Sequence, residues 1–181
     1  MTRAVFLDRD GVINRAIVKD GKPYPPSCLA ELEILPGVAD ALIQLNQADF
    51  LLIVVTNQPD VARGVQSRAS VEEMHDWLKA RLPLDGFRVC YHDDADRCDC
   101  RKPLPGLILA AARDFGIDVS KSFMIGDRWR DVEAGDRAGC QNAFIDYKYS
   151  EKRPTQPHAC VRSLAEATDW ILSTLHTERK L

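Results

Sequence analysis

The chain has 181 residues and a formal net charge of −3, with 45% hydrophobic and 28% charged residues. This length suits one ordinary domain, and we expect residues 1–181 to form a single domain that acts as a monomer. No basic excess marks a nucleic-acid surface, no apolar run is long enough for a bilayer, and no signal peptide is recognised. We therefore expect a cytoplasmic protein whose partner is a small molecule, not nucleic acid or a membrane.

Apolar runs alternate with amphipathic stretches along the chain. We predict strands at 4–7, 50–55, 87–91, 123–125 and 143–145. Helices are predicted between them in chain order, at 38–47, 71–82, 107–115 and 131–138, and a last helix at 164–175. Ser70, with Glu73 three residues later, is predicted to cap the second helix. Residues 147–158 are predicted to form a surface loop. This alternation predicts an α/β fold, a Rossmann-like three-layer sandwich with a parallel sheet.

Polar side chains follow four of the predicted strands, at the point where each strand ends. In chain order they are Asp8, Asp10, Thr56, Asn57, Arg101, Lys102, Asp127 and Asp131. In open parallel sheets, ligands bind at the carboxyl ends of the strands. These distant segments are therefore predicted to share one site.

The carboxylates of this set need a cation, because crowded ionised carboxylates repel one another. Mg²⁺ prefers oxygen ligands and keeps several of its waters. We predict Asp8 and Asp127 as side-chain ligands of Mg²⁺, and Asp10 as a ligand through its backbone carbonyl.

The same residue types suit phosphoryl transfer. A carboxylate can accept a phosphoryl group, and a second carboxyl two residues further on can protonate the leaving alkoxide and then activate water. Lys102 and the hydroxyl of Thr56 would hold the phosphate oxygens. The set therefore predicts a phosphatase.

Four segments resemble the motifs of the haloacid dehalogenase superfamily of phosphatases. They are Asp8-Arg9-Asp10-Gly11-Val12, Val54-Val55-Thr56-Asn57, Lys102, and Gly126-Asp127-Arg128-Trp129-Arg130-Asp131. The resemblance implies a nucleophile at Asp8 and a general acid and base at Asp10. It also implies a fold like that of this superfamily, and the spacing of the motifs leaves no room for a large cap domain.

The resemblance assigns the remaining side chains to the phosphate and the metal. Thr56, with Asn57 beside it, and Lys102 would bind the phosphate. Asp8, Asp10 and Asp127 would surround Mg²⁺, with Asp131 in support nearby.

A second cluster is predicted to hold zinc. Cys90, His92, Cys98 and Cys100 offer three thiolates and one imidazole, a closed tetrahedral set that is typical of structural Zn²⁺. The segment resembles the zinc loop of two groups in the superfamily. One group removes the 7-phosphate of D-glycero-D-manno-heptose 1,7-bisphosphate, and the other consists of histidinol-phosphate phosphatases.

The sequence favours the heptose bisphosphate as substrate, which implies a step in nucleotide-activated heptose synthesis for lipopolysaccharide, capsule or S-layer glycan. The segment Val61-Ala62-Arg63-Gly64 resembles the heptose group, and Arg101 and Arg128 would meet the remote phosphate. The short spacing from His92 to Cys98 resembles the histidinol-phosphate group instead. Three alternatives stay open: histidinol phosphate, a 3′-phosphate on nucleic acid, and a catalytically idle zinc module that binds a partner.

Overall fold

The structure of the protein, a computed structural model, describes residues 2–178. The strands are β1 (Arg3–Leu7), β2 (Ile17–Lys19), β3 (Lys22–Tyr24), β4 (Phe50–Asn57), β5 (Gly86–Cys90), β6 (Phe123–Gly126), β7 (Gln141–Ile145) and β8 (Ala159–Val161). The helices are α1 (Val38–Gln47), α2 (Arg68–Lys79), α3 (Gly106–Phe115), α4 (Trp129–Ala138) and α5 (Leu164–Glu178). Within residues 2–178, none of the helices combines the length and apolar character needed to cross a membrane.

Six strands form one sheet in the order β5-β4-β1-β6-β7-β8, and every neighbouring pair is parallel. Alternate residues of β1 face opposite sides, as the strand period of two requires. Val5 and Leu7 pack into a core with α1, α2 and α5, whereas Ala4 and Phe6 pack into a core with α3 and α4. The predicted three-layer α/β sandwich with a parallel sheet is confirmed.

The predicted cap of α2 is wrong. The helix begins at Arg68, and the hydroxyl oxygen of Ser67 accepts a hydrogen bond from the Ser70 backbone N–H at 3.1 Å. Ser67 has the extended backbone that an N-cap residue adopts, so Ser70 lies inside the first turn. The helix also ends at Lys79, three residues before its predicted end.

A small antiparallel hairpin, β2–β3, was not predicted. Asp20 and Gly21 link the two strands with φ angles of 51° and 72°, which is the conformation of a two-residue type I′ turn. The Asp-Gly pair was the signal for this hairpin, but its three-residue strands are too short for a clear alternation. The hairpin matters because it reaches the site described next.

Candidate active site

A cavity of about 260 Å³ opens at the carboxyl ends of the central strands. Its lining includes most of the predicted site residues: Asp8, Asp10, Asn57, Arg101, Lys102, Asp127, Arg128 and Asp131. Thr56 is fully buried and is not among the residues that line the cavity. Segments far apart in sequence therefore meet at one edge of the sheet, because β1, β4 and β6 are adjacent and parallel.

Three buried carboxylates form an acidic cluster in this cavity. The ligating oxygens of Asp8, Asp127 and Asp131 all lie within 4.8 Å of one another. Burial raises the pKa of Asp8 to about 6, and Asp131 adds to the rise while Lys102 opposes it. Burial also raises the pKa of Asp127 well above its ordinary value, followed by the charges of Asp8 and Asp131. Ionisation of Asp8 and Asp127 is therefore unfavourable without a further cation.

The surroundings of Asp127 indicate where a cation would bind. Asp127 is only 2% exposed, and among residues 2–178 its carboxylate oxygens have no partner in good hydrogen-bond geometry, although the Tyr149 hydroxyl lies near enough to oppose the rise in its pKa. A buried carboxylate without partners is costly, and a hard cation with oxygen ligands is the usual solution. The donor set at Asp127 and Asp8 therefore suits Mg²⁺.

Lys102 places a positive charge in direct contact with the acidic cluster. Its ammonium lies 2.9 Å from Oδ1 of Asp8 and 2.6 Å from Oδ1 of Asp131, and donates to the backbone oxygen of Val55 at 2.7 Å. The residue is 2% exposed. The neighbouring carboxylates raise its pKa against the opposing effect of burial, which keeps the ammonium protonated.

Asn57 fixes the backbone of Lys102. The Asn57 Nδ2 group donates to the Lys102 carbonyl at 3.0 Å, and Oδ1 accepts from the Lys102 N–H at 3.1 Å. This pair of bonds joins the end of β4 to the loop that carries the lysine. Asn57 lines the cavity, but its amide is occupied by this backbone contact.

Asp10 lies apart from the acidic cluster and is surrounded by hydrogen-bond donors. Arg9 donates to both of its oxygens, at 3.0 and 3.1 Å from Nη2. Asn14 donates to Oδ1 and Gln58 donates to Oδ2, each at 2.9 Å. The carboxyl group of Asp10 is therefore held in one orientation, while the predicted contact of its backbone carbonyl with Mg²⁺ stays a prediction.

Two of these donors carried no predicted role, although Arg9 stands within the first motif and Gln58 directly follows the second. His75 lies behind this group: it accepts from Arg9 Nη1 at 3.1 Å and is 66 residues away from Arg9 in sequence. It was missed because nothing local in α2 marks this histidine as different from a core residue.

The two predicted arginines are both in the cavity wall and both have acidic partners. Arg101 Nε donates to Asp94 at 2.7 Å, and its side chain is 12% exposed. Arg128 makes two bonds to Glu151, at 2.9 and 2.6 Å. Further residues without a predicted role line the same cavity, among them Lys22, Tyr24, Arg63 and Arg130. The hairpin brings the first two into the cavity wall.

The predicted zinc ligands converge at the end of β5. The Sγ atoms of Cys90 and Cys98 are 3.7 Å apart, and Cys100 Sγ lies 3.0 and 3.5 Å from them. His92 Nδ1 is 3.6 Å from the Cys90 sulfur and 3.3 Å from the Cys100 sulfur. All four ligand atoms lie within 4.8 Å of one another, and the cysteines form no disulfide. Four soft ligands with these separations suit a single tetrahedral metal ion.

Known proteins resemble this chain in sequence. A family model described as HAD-hydrolase-like matches residues 99–167. The D-glycero-β-D-manno-heptose-1,7-bisphosphate 7-phosphatase of Escherichia coli K12 is 35% identical over 184 residues, covering 95% of this chain and 89% of the relative. The protein of that name from Rhodopseudomonas palustris is 40% identical over 148 residues, covering 75% of this chain and 79% of the relative.

Solved structures resemble it in fold. The D,D-heptose 1,7-bisphosphate phosphatase from B. bronchiseptica, complexed with magnesium and phosphate, aligns with a TM-score of 0.78 and 29% identity, covering 96% of this chain and 99% of that one. A putative HAD-like phosphatase from Mesorhizobium loti aligns with a TM-score of 0.77 and 28% identity, covering 97% and 87%. The sequence relatives match over most of both chains, and the fold agrees. The chain therefore belongs to the family of the D-glycero-β-D-manno-heptose-1,7-bisphosphate 7-phosphatases, within the haloacid dehalogenase superfamily.

Proposed function

We propose that this protein is a Mg²⁺-dependent phosphatase that hydrolyses the 7-phosphate of D-glycero-D-manno-heptose 1,7-bisphosphate through an aspartyl phosphate on Asp8. One observation carries the proposal: Asp127, buried and with no partner in good hydrogen-bond geometry among residues 2–178, lies beside Asp8 in an open cavity that Lys102 also lines. That arrangement suits a site that receives a cation and a phosphate together. The substrate follows from the relatives, whose names specify this bisphosphate.

In the proposed site, the side chains of Asp8 and Asp127 and the backbone carbonyl of Asp10 hold Mg²⁺, and Asp131 supports them. The ion would offset the repulsion among the carboxylates and withdraw charge from the phosphoryl oxygens. Lys102 and Thr56 bind the same oxygens in this proposal. Asn57 contributes by holding the backbone of Lys102.

The first chemical step transfers the phosphoryl group to the protein. A carboxylate oxygen of Asp8 attacks phosphorus, and the bond between phosphorus and the sugar oxygen breaks. The carboxyl group of Asp10 gives its proton to that sugar oxygen, which leaves as an alcohol. Lys102, 2.9 Å from Asp8, balances the negative charge that gathers on the transferred group.

The second step restores the enzyme. Asp10, now a carboxylate, takes a proton from water, and the water oxygen attacks phosphorus while the bond to Asp8 breaks. Inorganic phosphate leaves and Asp10 is protonated again. The donors around Asp10 stabilise it as a carboxylate between the two steps.

The second phosphate of the substrate needs cations away from the reacting one. Arg101 and Arg128 line the cavity, and we propose that they bind this second phosphate. Binding energy gained there would orient the sugar for attack at the other end. We also propose that the protein is a single domain acting as a monomer, because every residue of the proposed site comes from this one chain.

The test is a parallel assay of phosphate release with Mg²⁺ from both anomers of the heptose 1,7-bisphosphate and from histidinol phosphate. We expect kcat/KM to be highest for a heptose bisphosphate. Higher kcat/KM for histidinol phosphate would overturn the substrate while keeping the chemistry.

The covalent step has its own control. Asp8→Asn should lower kcat by about 10³-fold or more, since an amide oxygen is a poor nucleophile. Its fold and its zinc content should stay unchanged. If the variant turns over at a rate near that of the wild type, the aspartyl phosphate mechanism is wrong.

A further inference from the structure

The guanidinium of Arg9 is fully buried, although it follows the proposed nucleophile directly in sequence. One edge faces Asp10, with Nε 3.2 Å and Nη2 3.0 Å from Oδ1. The other edge faces His75, whose Nε2 lies 3.1 Å from Nη1. A buried charge is tolerated only when its hydrogen-bonding groups have partners. The two partners of Arg9 thus fix the plane in which its guanidinium lies.

His75 is itself held firmly. It lies on the buried face of α2, is 6% exposed, and stacks on Phe87 with ring centroids 4.7 Å apart and an interplanar angle of 23°. Because arginine can only donate, Nε2 of His75 must be the acceptor and its ring proton must sit on Nδ1. Burial, followed by the charge of Arg9, lowers the pKa of His75 to about 3, so the ring stays a neutral acceptor at physiological pH.

The orientation of Asp10 depends on Arg9 more than on its other partners. Asn14 donates to Oδ1 alone, and Gln58 donates to Oδ2 alone. Arg9 donates to both oxygens, which fixes the plane of the carboxyl group. Without an acceptor at His75, the guanidinium would lose the bond that holds its far edge.

We propose that His75 is a positioning residue for proton transfer: by accepting a hydrogen bond from Arg9, it holds the guanidinium that orients the carboxyl group of Asp10. This inference rests on the proposed function, in which Asp10 is the general acid and base. His75 does not line the cavity and acts through Arg9 alone. Its contribution should appear only in steps that need the proton of Asp10.

The leaving group offers a way to separate such a role from a structural one. A sugar alkoxide is a poor leaving group and needs the proton of Asp10, whereas 4-nitrophenolate leaves without much help. The ratio kcat/KM covers the steps up to departure of the leaving group, so the later hydrolysis of the intermediate does not enter it. A misplaced Asp10 should therefore lower kcat/KM for the sugar phosphate much more than for 4-nitrophenyl phosphate.

His75→Gln and His75→Asn form a matched pair. The glutamine amide reaches the position of Nε2 and can accept from Arg9, while the asparagine amide reaches only the position of Nδ1. Both variants lose the stacking on Phe87, so this loss cancels between them. We expect His75→Asn to lower kcat/KM for the heptose bisphosphate by about 10- to 100-fold, and His75→Gln by about threefold or less. With 4-nitrophenyl phosphate, the two variants should differ by less than about threefold.

Equal losses in the two variants, or equal losses with the two substrates, would overturn the positioning role and leave His75 as a packing residue. The melting temperatures of both variants show whether they fold. If His75→Asn does not fold, the ratio of losses for the two substrates in His75→Gln and His75→Phe decides instead. If the wild type prefers another alkyl phosphate, the proposed substrate fails, and the same comparison is made with that alkyl phosphate.

Discussion

At the scale of single residues, the buried ammonium of Lys102 balances the acidic cluster. It contacts Asp8 and Asp131, and its charge opposes the rise in the pKa of Asp8 that burial causes. Removing it would leave two buried carboxylates without their cation. Such losses cost about 3–5 kcal/mol.

We therefore predict that Lys102→Met destabilises the metal-free protein, and more at pH 8 than at pH 5. Without the lysine, the pKa of Asp8 rises further, so the carboxyl group is protonated at pH 5 and the loss is small there. At pH 8 the group must ionise in the folded state at high cost. Urea unfolding at both pH values measures the effect. Lys121→Met is the control, because Lys121 is exposed and pairs with Asp118 only at 3.8 Å; similar losses in both variants would contradict the prediction.

Gly11 allows the first motif to approach Asp127. Its φ angle is +83°, and a Cβ atom at this position would overlap Oδ2 of Asp127. Gly37 has a similar φ angle of +77° but open space where its Cβ would stand. The two glycines thus share backbone strain and differ in contact.

We predict that Gly11→Ala lowers the affinity for Mg²⁺ by about tenfold or more, because the methyl group displaces a proposed ligand. Gly37→Ala should lose only the stability that the left-handed backbone costs an alanine, about 1–2 kcal/mol. Calorimetric Mg²⁺ titration of both variants makes the comparison. Equal Mg²⁺ affinity in Gly11→Ala and the wild type would show that the close approach does not matter for the metal.

The residues that were predictable share one property: each belongs to a short motif whose residue types already suggest chemistry. Asp8, Asp127 and Lys102 meet in one cavity as expected. His75 and Glu151 were not predictable, because their partners, Arg9 and Arg128, are distant in sequence. A histidine in an amphipathic helix and a glutamate in a polar loop are common where they have no special role. Only the packing of α2 and the course of the loop after β7 give them these contacts.

At the scale of elements, the proposed zinc loop joins β5 to α3 and carries Arg101 and Lys102 into the cavity. Cys90 is anchored in β5, while Cys98 and Cys100 belong to the loop itself. A metal bound by all of them would close this segment and fix the arginine and the lysine. Metal binding by such a set contributes directly to folding.

We predict that Cys98→Ser lowers the zinc content to well below one ion per chain, lowers the melting temperature, and lowers kcat/KM through disorder of the loop. Cys160→Ser is the matched control, because Cys160 is exposed and distant from the four ligands in sequence. Elemental analysis and thermal unfolding of both variants test this. Full zinc content with an unchanged melting temperature in Cys98→Ser would refute the four-ligand site.

The long elements were predictable and the short ones were not. Helix α1 matches its predicted bounds, and β4 contains its predicted strand, because a clear period or a continuous apolar run marks each of them. The hairpin strands and β8 have three residues each, which is less than two periods of alternation. The start of α2 depended on which of two serines caps it, a choice that backbone geometry decides.

At the scale of the whole molecule, the site exists because the sheet places β1 between β4 and β6. Alternating strands and helices predict parallel strands, but they do not give the strand order. The expectation that the segments meet came from the rule that ligands bind at the carboxyl ends of parallel strands, and the family resemblance agreed with it. The segments meet because the adjacent parallel strands β1, β4 and β6 end at the same edge of the sheet. This brings carboxylates of like charge close together.

This arrangement links the stability of the whole chain to the metal. Asp8 and Asp127 have raised pKa values in the metal-free protein, so their contribution to folding is full below pH 4 and is lost as pH rises through the folded pKa, about 6 for Asp8. A cation at the cluster would relieve this loss only where the carboxyl groups are ionised. We therefore predict that Mg²⁺ raises the melting temperature more at pH 8 than at pH 5, by an amount equivalent to about 3 kcal/mol at 100 times its Kd.

Asp127→Asn tests whether the acidic cluster is the cause. The metal-free variant should melt at a higher temperature than the metal-free wild type at pH 8, because an amide carries no charge to bury. Added Mg²⁺ should then have little effect on it. Asp76→Asn, a change at an exposed position of α2, should keep the full response to Mg²⁺. If Asp127→Asn responds to Mg²⁺ as the wild type does, the ion binds elsewhere. Asp127 would then not be a ligand of Mg²⁺, and the proposed metal site would be wrong.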